Sequence, residues 1–382
     1  MSIKLKEILI EVIFLFQKLL FYISKCLTLW IPTKNSGSKL IIGRETAGLL
    51  SLYSKLFDCY SINTEKSNAA YSTNYSLDLS SYPKVVKYIF LPILFPLILK
   101  RFSGIWFFSS ASFFLSNDGR EWEFSKVKKY NREILCFFLG SDIRSLKLAQ
   151  ELSKEIDLDH WSNHIEISSN RKEVSDKRSK IFSNAADKHA NYIFSAEKDN
   201  ISYIESKIHL IPMPVTRNDF LIDNSKWNDT SMVRIFHCPS SSLIKGTQIV
   251  LSAIKRLKLE GYKFDFNLLT DISNNNVLKE LENTHIVLNE FYGYLPGLFG
   301  IEALEANCLL LTSASKKLEP ALFDGCDDAW VPTMYHEIYQ KLKYYLDNID
   351  QAKIQADMGT HWAKKNCSHE ASINYVNSIL KS

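Results

Sequence analysis

The sequence predicts an α/β protein of two parallel-sheet domains, and three observations carry that reading. In the second half, short apolar runs alternate with helical patterns, a rhythm that calls for a parallel sheet with helices on both faces. The first half opens the same way: Lys39-Leu-Ile-Ile-Gly43 reads as a strand, Arg44–Gly48 as a turn, and the pattern through Leu56 as a helix, the start of a Rossmann-like unit. The chain has 382 residues, 46% of them hydrophobic, which suits two domains of ordinary size, each with its own core.

Residues 1–38 stand apart. Lys4, Glu7, Glu11, Lys18 and Lys25 fall at three-, four- and seven-residue steps, so a helix over 4–29 carries one narrow polar stripe among Ile, Leu, Phe, Val and Tyr. No uncharged stretch reaches the ~20 residues that span a bilayer, and no small-x-small cleavage pattern follows the apolar run. Two arrangements fit: a helix packed on the domain, or an amphipathic helix lying in a membrane surface. A second apolar run, Tyr88–Leu99, is bracketed by Lys87 and Lys100 and interrupted by Pro92 and Pro96. It is also too short to cross, and fits core packing or a lipid-facing patch.

The first domain is expected over 39–214. Ser61–Ser81, rich in Ser, Asn and Tyr, reads as irregular, and Gly104–Phe108 as a buried strand. Glu133–Leu139 is a further strand that runs into Gly140-Ser-Asp-Ile-Arg144. Polar clusters at the carboxyl ends of parallel strands are where such sheets bind ligands. Ser141 or Asp142 could instead cap the next helix, but a cap has no need of the cation at Arg144. Arg171–Lys188 reads as a solvated helix, Asn191–Ser195 and Lys207–Ile211 as strands. Pro212-Met-Pro214 and the polar run Arg217–Thr230 break the pattern and place a linker at 215–231.

The second domain is expected over 232–365, with a C-terminal helix at 366–382. Strands are read at Met232–His237, Phe264–Leu269, His285–Leu288 and Cys308–Thr312, and helices at Gly246–Gly261, Val277–Glu282 and Phe299–Ala306. Two stretches carry chemistry. In Phe236-His-Cys-Pro-Ser-Ser-Ser-Leu-Ile-Lys-Gly-Thr247 a strand leads through a polar turn to a helix start bearing Lys245 and Gly246. In Gly297-Leu-Phe-Gly-Ile-Glu-Ala-Leu-Glu-Ala306 a glycine-rich turn runs into a helix bearing Glu302 and Glu305 on one face. Helix N-termini attract anions, an ammonium group beside them suits a diphosphate, and a carboxylate suits a ribose. Gly297 and Gly300 allow close backbone approach.

A net charge of +4, with no RNP-like or zinc-finger pattern, argues against nucleic acid as a partner. Seven scattered cysteines with no CxxC spacing read as reduced thiols. His160 and His164 stand four apart but lack an evident third ligand, so no metal site is expected.

The second half resembles the C-terminal domain of GT-B glycosyltransferases of the family 4 type. The matching residues are Lys245-Gly246-Thr247, His285-Ile-Val-Leu-Asn-Glu290, Gly297–Glu305 and Leu309-Leu-Leu-Thr312. Gly140-Ser-Asp-Ile-Arg144 resembles the GSD-x-R turn of many such enzymes that build bacterial surface polysaccharides, and the likeness spans roughly 39–365. It implies two Rossmann-like domains facing each other across a cleft, and retaining transfer from a UDP- or GDP-sugar without metal or cofactor. The implied acceptor is a polysaccharide or lipid-linked glycan at the cytoplasmic membrane face. By the resemblance, Gly48, Ser240, Lys245, Gly246, Gly297, Leu298, Phe299, Gly300 and Glu305 form the donor site. Lys245 and Asp142 are the catalytic candidates, and Ser141 and Arg144 face the acceptor. Three positions depart from the pattern. Gly297 stands where the family carries its first glutamate, Ser240–Ser242 fill the turn that often holds an arginine, and Leu139 replaces a histidine. The alternative they motivate is a catalytically weak binding subunit of a membrane-associated assembly.

Overall fold

The computed structural model describes residues 3–33, 37–66, 71, 73–140, 142–163, 169–222 and 225–381. The first part of the chain forms α1 (Ile3–Leu27), β1 (Lys39–Gly43), α2 (Leu49–Leu56), β2 (Cys59–Asn63), β3 (Leu77–Asp78), α3 (Lys84–Arg101), β4 (Gly104–Phe108), α4 (Glu121–Lys129), β5 (Glu133–Phe137), α5 (Leu146–Glu155), α6 (Ser169–His189), β6 (Tyr192–Ser195) and β7 (Ile208–Leu210). The second part forms β8 (Val233–His237), α7 (Thr247–Leu259), β9 (Phe264–Leu268), α8 (Asn274–Asn283), β10 (Ile286–Leu288), α9 (Gly297–Glu305), β11 (Leu309–Thr312), α10 (Cys326–Ala329), β12 (Val331–Pro332), α11 (Ile338–Asp347), α12 (Ile349–Cys367) and α13 (His369–Leu380).

Among the described residues the strands make two all-parallel sheets, ordered β3-β2-β1-β4-β5-β6-β7 and β12-β11-β10-β8-β9. Both sheets are buried on two faces, and side chains alternate between them. Leu40 and Ile42 enter one core with Ile105, Phe107 and Ile134, while Ile41 enters the other with Trp106, Phe108 and Leu135. In the second sheet Phe236, Val287 and Leu310 point one way, and Ile235, Ile286 and Leu309 the other. Each sheet reverses its winding once, between β1 and β4 and between β8 and β10. Ligands of open parallel sheets bind beyond the strand ends at such a reversal. The topology therefore aims two crevices before any side chain is considered.

Three strands escape the sequence reading, β2, β3 and the short edge strand β12. β2 and β3 flank and enter the segment expected to be irregular; β2 carries Ser61 and Asn63, 2% and 3% exposed, so it shows no apolar alternation. Asn63 is used as a linchpin: its Oδ1 accepts from the Glu45 N–H, and its Nδ2 donates to Asp78.

Helix α1 turns its polar side inward. Gln17 is 1% exposed; its amide donates to the Tyr88 carbonyl at 2.9 Å and accepts from the Leu115 N–H at 2.8 Å. Pro92 has no N–H to offer the Tyr88 carbonyl within α3, and Gln17 fills that vacancy. Ser24 donates to the Ile93 carbonyl at 2.7 Å, and Asn117 donates to Glu11 at 3.0 Å. Phe14 and Phe21 complete the buried seam. The opposite face of α1 is apolar and open to the outside, through Leu5, Ile8, Val12, Leu15, Phe16 and Leu19. α3 divides likewise, burying Leu91, Phe95 and Leu99 and exposing Val85, Ile89 and Phe90. No described helix is long and apolar enough to cross a membrane. All seven cysteines are unpaired.

The last helix does not stay with the second sheet. Val376 and Ile379 of α13 join the core beneath β1, β4 and β5.

Candidate functional site

The loops after β1 and β5 meet those after β8 and β10 across the gap between the sheets. On the first side, Glu45 caps α2, accepting from the Ser51 N–H at 3.1 Å and the Tyr75 hydroxyl at 2.5 Å. Gly48 follows in the left-handed region, φ 76°, and a Cβ there would meet the Tyr71 ring at 2.8 Å. Tyr71 lies against the other domain. Its phenol is pushed up to about 12, first by burial, then by the Glu302 and Glu45 carboxylates.

On the second side, the turn after β8 is closed by backbone bonds from Lys245 to Ser241 at 3.0 Å and from Thr247 to Ser242 at 2.9 Å. Ser240 is exposed and Gly246 buried; Gly246 ends the turn at φ 73°, and α7 starts immediately. Beneath it His237, fully buried, meets the Leu288 carbonyl through Nδ1 at 2.6 Å and the Thr247 hydroxyl through Nε2 at 2.9 Å. Burial, more than the nearby Lys245 charge, pulls this imidazole down to about 4. Neutral His237 thus fixes the start of α7 to the two central strands.

Lys245 donates to Glu290, which directly follows Asn289 at the end of β10. Across the gap Arg144 donates to Asp199 and Asn200, both at 2.7 Å, and Asp199 accepts from the Tyr294 N–H at 2.8 Å. Lys245, Glu290, Asp199 and Arg144 form a row with a cation at each end and two carboxyl groups between them, spanning the two domains. Burial raises the Glu290 carboxyl, the Lys245 ammonium opposes the rise, and Asp199 reinforces it. Glu319, fully buried, accepts from the N–H groups of residues 197–199 at 2.8–3.1 Å and holds the Asp199 loop from the other domain.

The glycine-rich segment divides by residue. Gly297 is left-handed at φ 61° with open space where a side chain would stand. Leu298 reaches the core of the first domain, and the Phe299 ring meets Phe236 edge-on at 5.8 Å. Gly300 is fixed by packing, since a Cβ would lie 2.7 Å from Asn289 Nδ2. Glu302 and Glu305 are both 2% exposed. Glu302 accepts from Thr216 at 2.5 Å and Asn274 at 3.1 Å. Glu305 accepts from the Asp219 N–H at 2.7 Å through Oε1, while Oε2 has no partner among the described residues. Burial foremost pushes its carboxyl up to about 7.

Asp142 is 5% exposed and has both oxygens engaged, by Ser109 at 2.6 Å and the Leu139 N–H at 2.9 Å. Ser141 lies outside the described residues, as does His164. The structure thus gathers Gly48, Lys245, Arg144 and the α9 start at one gap, and sets Glu305 against the linker backbone. Sequence reasoning gave no role to Glu290, Asp199, Tyr71 or His237. Glu290 and His237 were findable as polar residues at the ends of buried strands. Asp199 and Tyr71 sit in loops and meet residues of the second domain, Tyr294 and Glu302, far off in sequence, and no local pattern marks them.

No family model and no curated protein matches the sequence. Solved structures do match in shape. Sucrose-phosphate synthase from Thermosynechococcus elongatus superposes with a TM-score of 0.58 at 10% identity, over 90% of this chain and 98% of that one. WaaG, a glycosyltransferase involved in lipopolysaccharide biosynthesis, gives 0.54 at 10% identity over 90% and 100%. An α-glucosyltransferase solved with UDP and a mismatched DNA 13-mer gives 0.52 at 9% identity over 90% and 99%. Each likeness runs nearly end to end in the other chain, so it covers both sheets and the gap between them. The chain has the GT-B fold, two Rossmann-like domains face to face.

Proposed function

We propose that the protein is a retaining glycosyltransferase that moves a sugar from a UDP- or GDP-sugar to a glycan acceptor. The observation that carries this reading is the placement of Lys245 at the start of α7, beside the winding reversal of the second sheet and facing the first domain. The donor diphosphate would lie on the N–H groups that open α7 and α9, with Lys245 leaving Glu290 to neutralise it. The Glu305 oxygen without a partner would take the ribose hydroxyls, and Gly297 and Gly300 would let the sugar approach the α9 backbone. The bond from the anomeric carbon to the diphosphate breaks, and the acceptor oxygen bonds to the same face of that carbon. The acceptor proton passes to the departing phosphate oxygen. Lys245 and the helix ends stabilise the negative charge as it develops, without need of a metal. Arg144, Ser141 and Asp142 would border the acceptor, with Asp142 shaping the turn through its two hydrogen bonds.

The acceptor belongs at the cytoplasmic face of a membrane. α1 presents its apolar side outward, with Leu15 63%, Phe16 50% and Leu19 55% exposed, and Trp30 stands 86% exposed at its end. α3 carries Lys84, Lys87 and Arg101 toward its ends and no acidic residue, while its Lys100 is buried against the Thr28 and Ile31 carbonyls. An apolar face with interfacial aromatics and a cationic border suits an anionic bilayer surface. The reading favours a lipid-linked or surface-polysaccharide acceptor.

A second reading, a weakly active binding subunit, draws on the Lys245–Glu290 pair and on glycine at position 297. A thermal-shift screen of UDP, GDP and their sugars tests the first, because a ligand held only by the folded form raises the melting temperature. Stabilisation by one nucleotide sugar, with release of its diphosphate on adding acceptor, is expected. Stabilisation without turnover supports the second reading, and no shift with any nucleotide rejects both.

A further inference from the structure

Apart from the donor gap, the first domain holds a cavity of about 1010 Å³. It lies between the first turns of α1, at Lys6, Glu7 and Ile10, and the turn after β5, at Asp142 and Arg144. Its wall includes the serines at 110, 112 and 116, and Arg178 and Phe182 of α6.

Arg120 also lines it, and its setting is unusual. The residue is 2% exposed, and its backbone sits in the left-handed region at φ 78°. One guanidinium nitrogen donates to the Ser109 and Ala111 carbonyls at 3.2 and 3.1 Å. Nε and the other terminal nitrogen have no partner among the described residues. Four phenylalanine rings, at 107, 124, 138 and 182, lie 5.1–5.5 Å from the guanidinium carbon. The two carboxylates within its field are already occupied: Glu123 accepts from Ser112 and from the Phe113 N–H, and Asp142 from Ser109 and the Leu139 N–H. A buried cation without an ion-pair partner is costly unless an anion completes it. Arg178 adds a second positive charge at the exposed rim, within the field of Arg120.

We propose that this cavity binds the phosphoryl group of the acceptor, held by Arg120, Arg178 and the Ser110 hydroxyl, with its lipid chain leaving along α1. The inference rests on the glycosyltransferase reading for the word acceptor, and on the cavity alone for the phosphoryl group. The cavity opens beside the helix whose outer face is apolar, and ends at Arg144, which also faces the donor gap. An acceptor anchored by its phosphate here would extend its sugar toward the gap. Bidentate recognition of phosphate is what a guanidinium offers over an ammonium.

The test is calorimetric titration of the full chain with farnesyl diphosphate, inorganic pyrophosphate and farnesol, each with and without excess UDP. Farnesyl diphosphate is expected to bind, UDP to leave that binding unchanged, and farnesol to bind about tenfold or more weakly, since a charged hydrogen bond is lost. Arg178→Glu, a substitution at an exposed position that should fold, is expected to weaken farnesyl diphosphate by about tenfold or more. Arg120→Gln, checked by circular dichroism, should do the same. Pyrophosphate binding as tightly as farnesyl diphosphate would overturn the lipid half and leave a soluble phosphoryl ligand. Absence of binding, displacement by UDP, or full binding in Arg178→Glu would overturn the site. The thermal shift with UDP or GDP in the same samples reads the donor gap separately. If it persists while farnesyl diphosphate fails, only this inference falls.

Discussion

Helices α7 and α1 each carry one polar and one apolar side, and they turn them in opposite directions. α7 buries Val250, Ala253, Ile254 and Leu257 beneath a charged surface. α1 buries Gln17 and Ser24 and leaves Leu5, Leu9, Leu15 and Leu19 outside. Periodicity reports that a helix has two faces; it is silent on which medium each face meets. For α7 the medium outside is water. For α1 the protein supplies the polar partners, through the Tyr88 carbonyl that Pro92 leaves without a donor and the Leu115 N–H, so the apolar face requires something other than water.

The sharpest way to separate the two helices is to disturb the residue each one positions. At the start of α7, Lys245→Ala should lower sugar transfer by about 10²-fold or more, as loss of a charge-stabilising donor does elsewhere, with the melting temperature nearly unchanged. Transfer at the wild-type rate would break the link between this helix start and chemistry. On α1, the double substitution Leu15→Glu and Phe16→Glu should reduce sedimentation with anionic vesicles by about tenfold or more, leaving stability within about 0.5 kcal/mol because both positions are exposed. A shift from dimer to monomer in place of lost vesicle binding would make the face a contact between copies. Inside the same helix, Gln17→Leu should cost about 2 kcal/mol in denaturant unfolding, since it leaves the Tyr88 carbonyl and the Leu115 N–H buried without partners. A neutral result would mean that the inward polar stripe contributes nothing.

The smallest expected effect is a pH slope. Burial pushes the Glu123 carboxyl up to about 7. The folded form then holds a proton that the unfolded form has released, so stability from this group is present below about pH 4.5 and declines as pH rises toward 7, by up to about 1.4 kcal/mol per unit. Glu123→Gln should remove that decline, read from denaturant midpoints at pH 5 and 7. An unchanged slope would assign the pH dependence to another group.

Four strands of the second sheet were legible because β10 and β11 are unbroken apolar runs and β8 and β9 hold apolar residues at alternate positions. Phe264, Ile286 and Leu309 start their strands within a residue or two of the expected positions, and the turns that follow hold the polar residues of the gap. In the first sheet β1, β4 and β5 were equally plain, whereas β2 hides behind Ser61 and Asn63, which are buried by hydrogen bonding and not by apolar contact. The motif residues Lys245, Gly246 and Gly300 could be read as a group because helix starts and close packing leave a local trace. Their ion-pair partners could not. Glu290 was quoted only as the end of a strand, and the Arg144–Asp199 pair joins positions 55 apart in sequence. Each pair joins loops at the ends of different strands of one sheet, which neighbouring residues do not encode. Arg120 was silent for the same reason, since four rings from four separate elements enclose it.

The chain passes between the domains twice, at residues 211–221 and again just before α13, and the two passages are tied together. The Val215 N–H donates to the Cys367 carbonyl at 3.0 Å, and His369 meets the Val215 carbonyl at 2.9 Å. Two strands of backbone laced side by side resist sliding and permit swinging. Any widening of the mouth that admits a bulky donor must then turn about this laced seam, with Leu298 withdrawing from the far lobe as the jaws part.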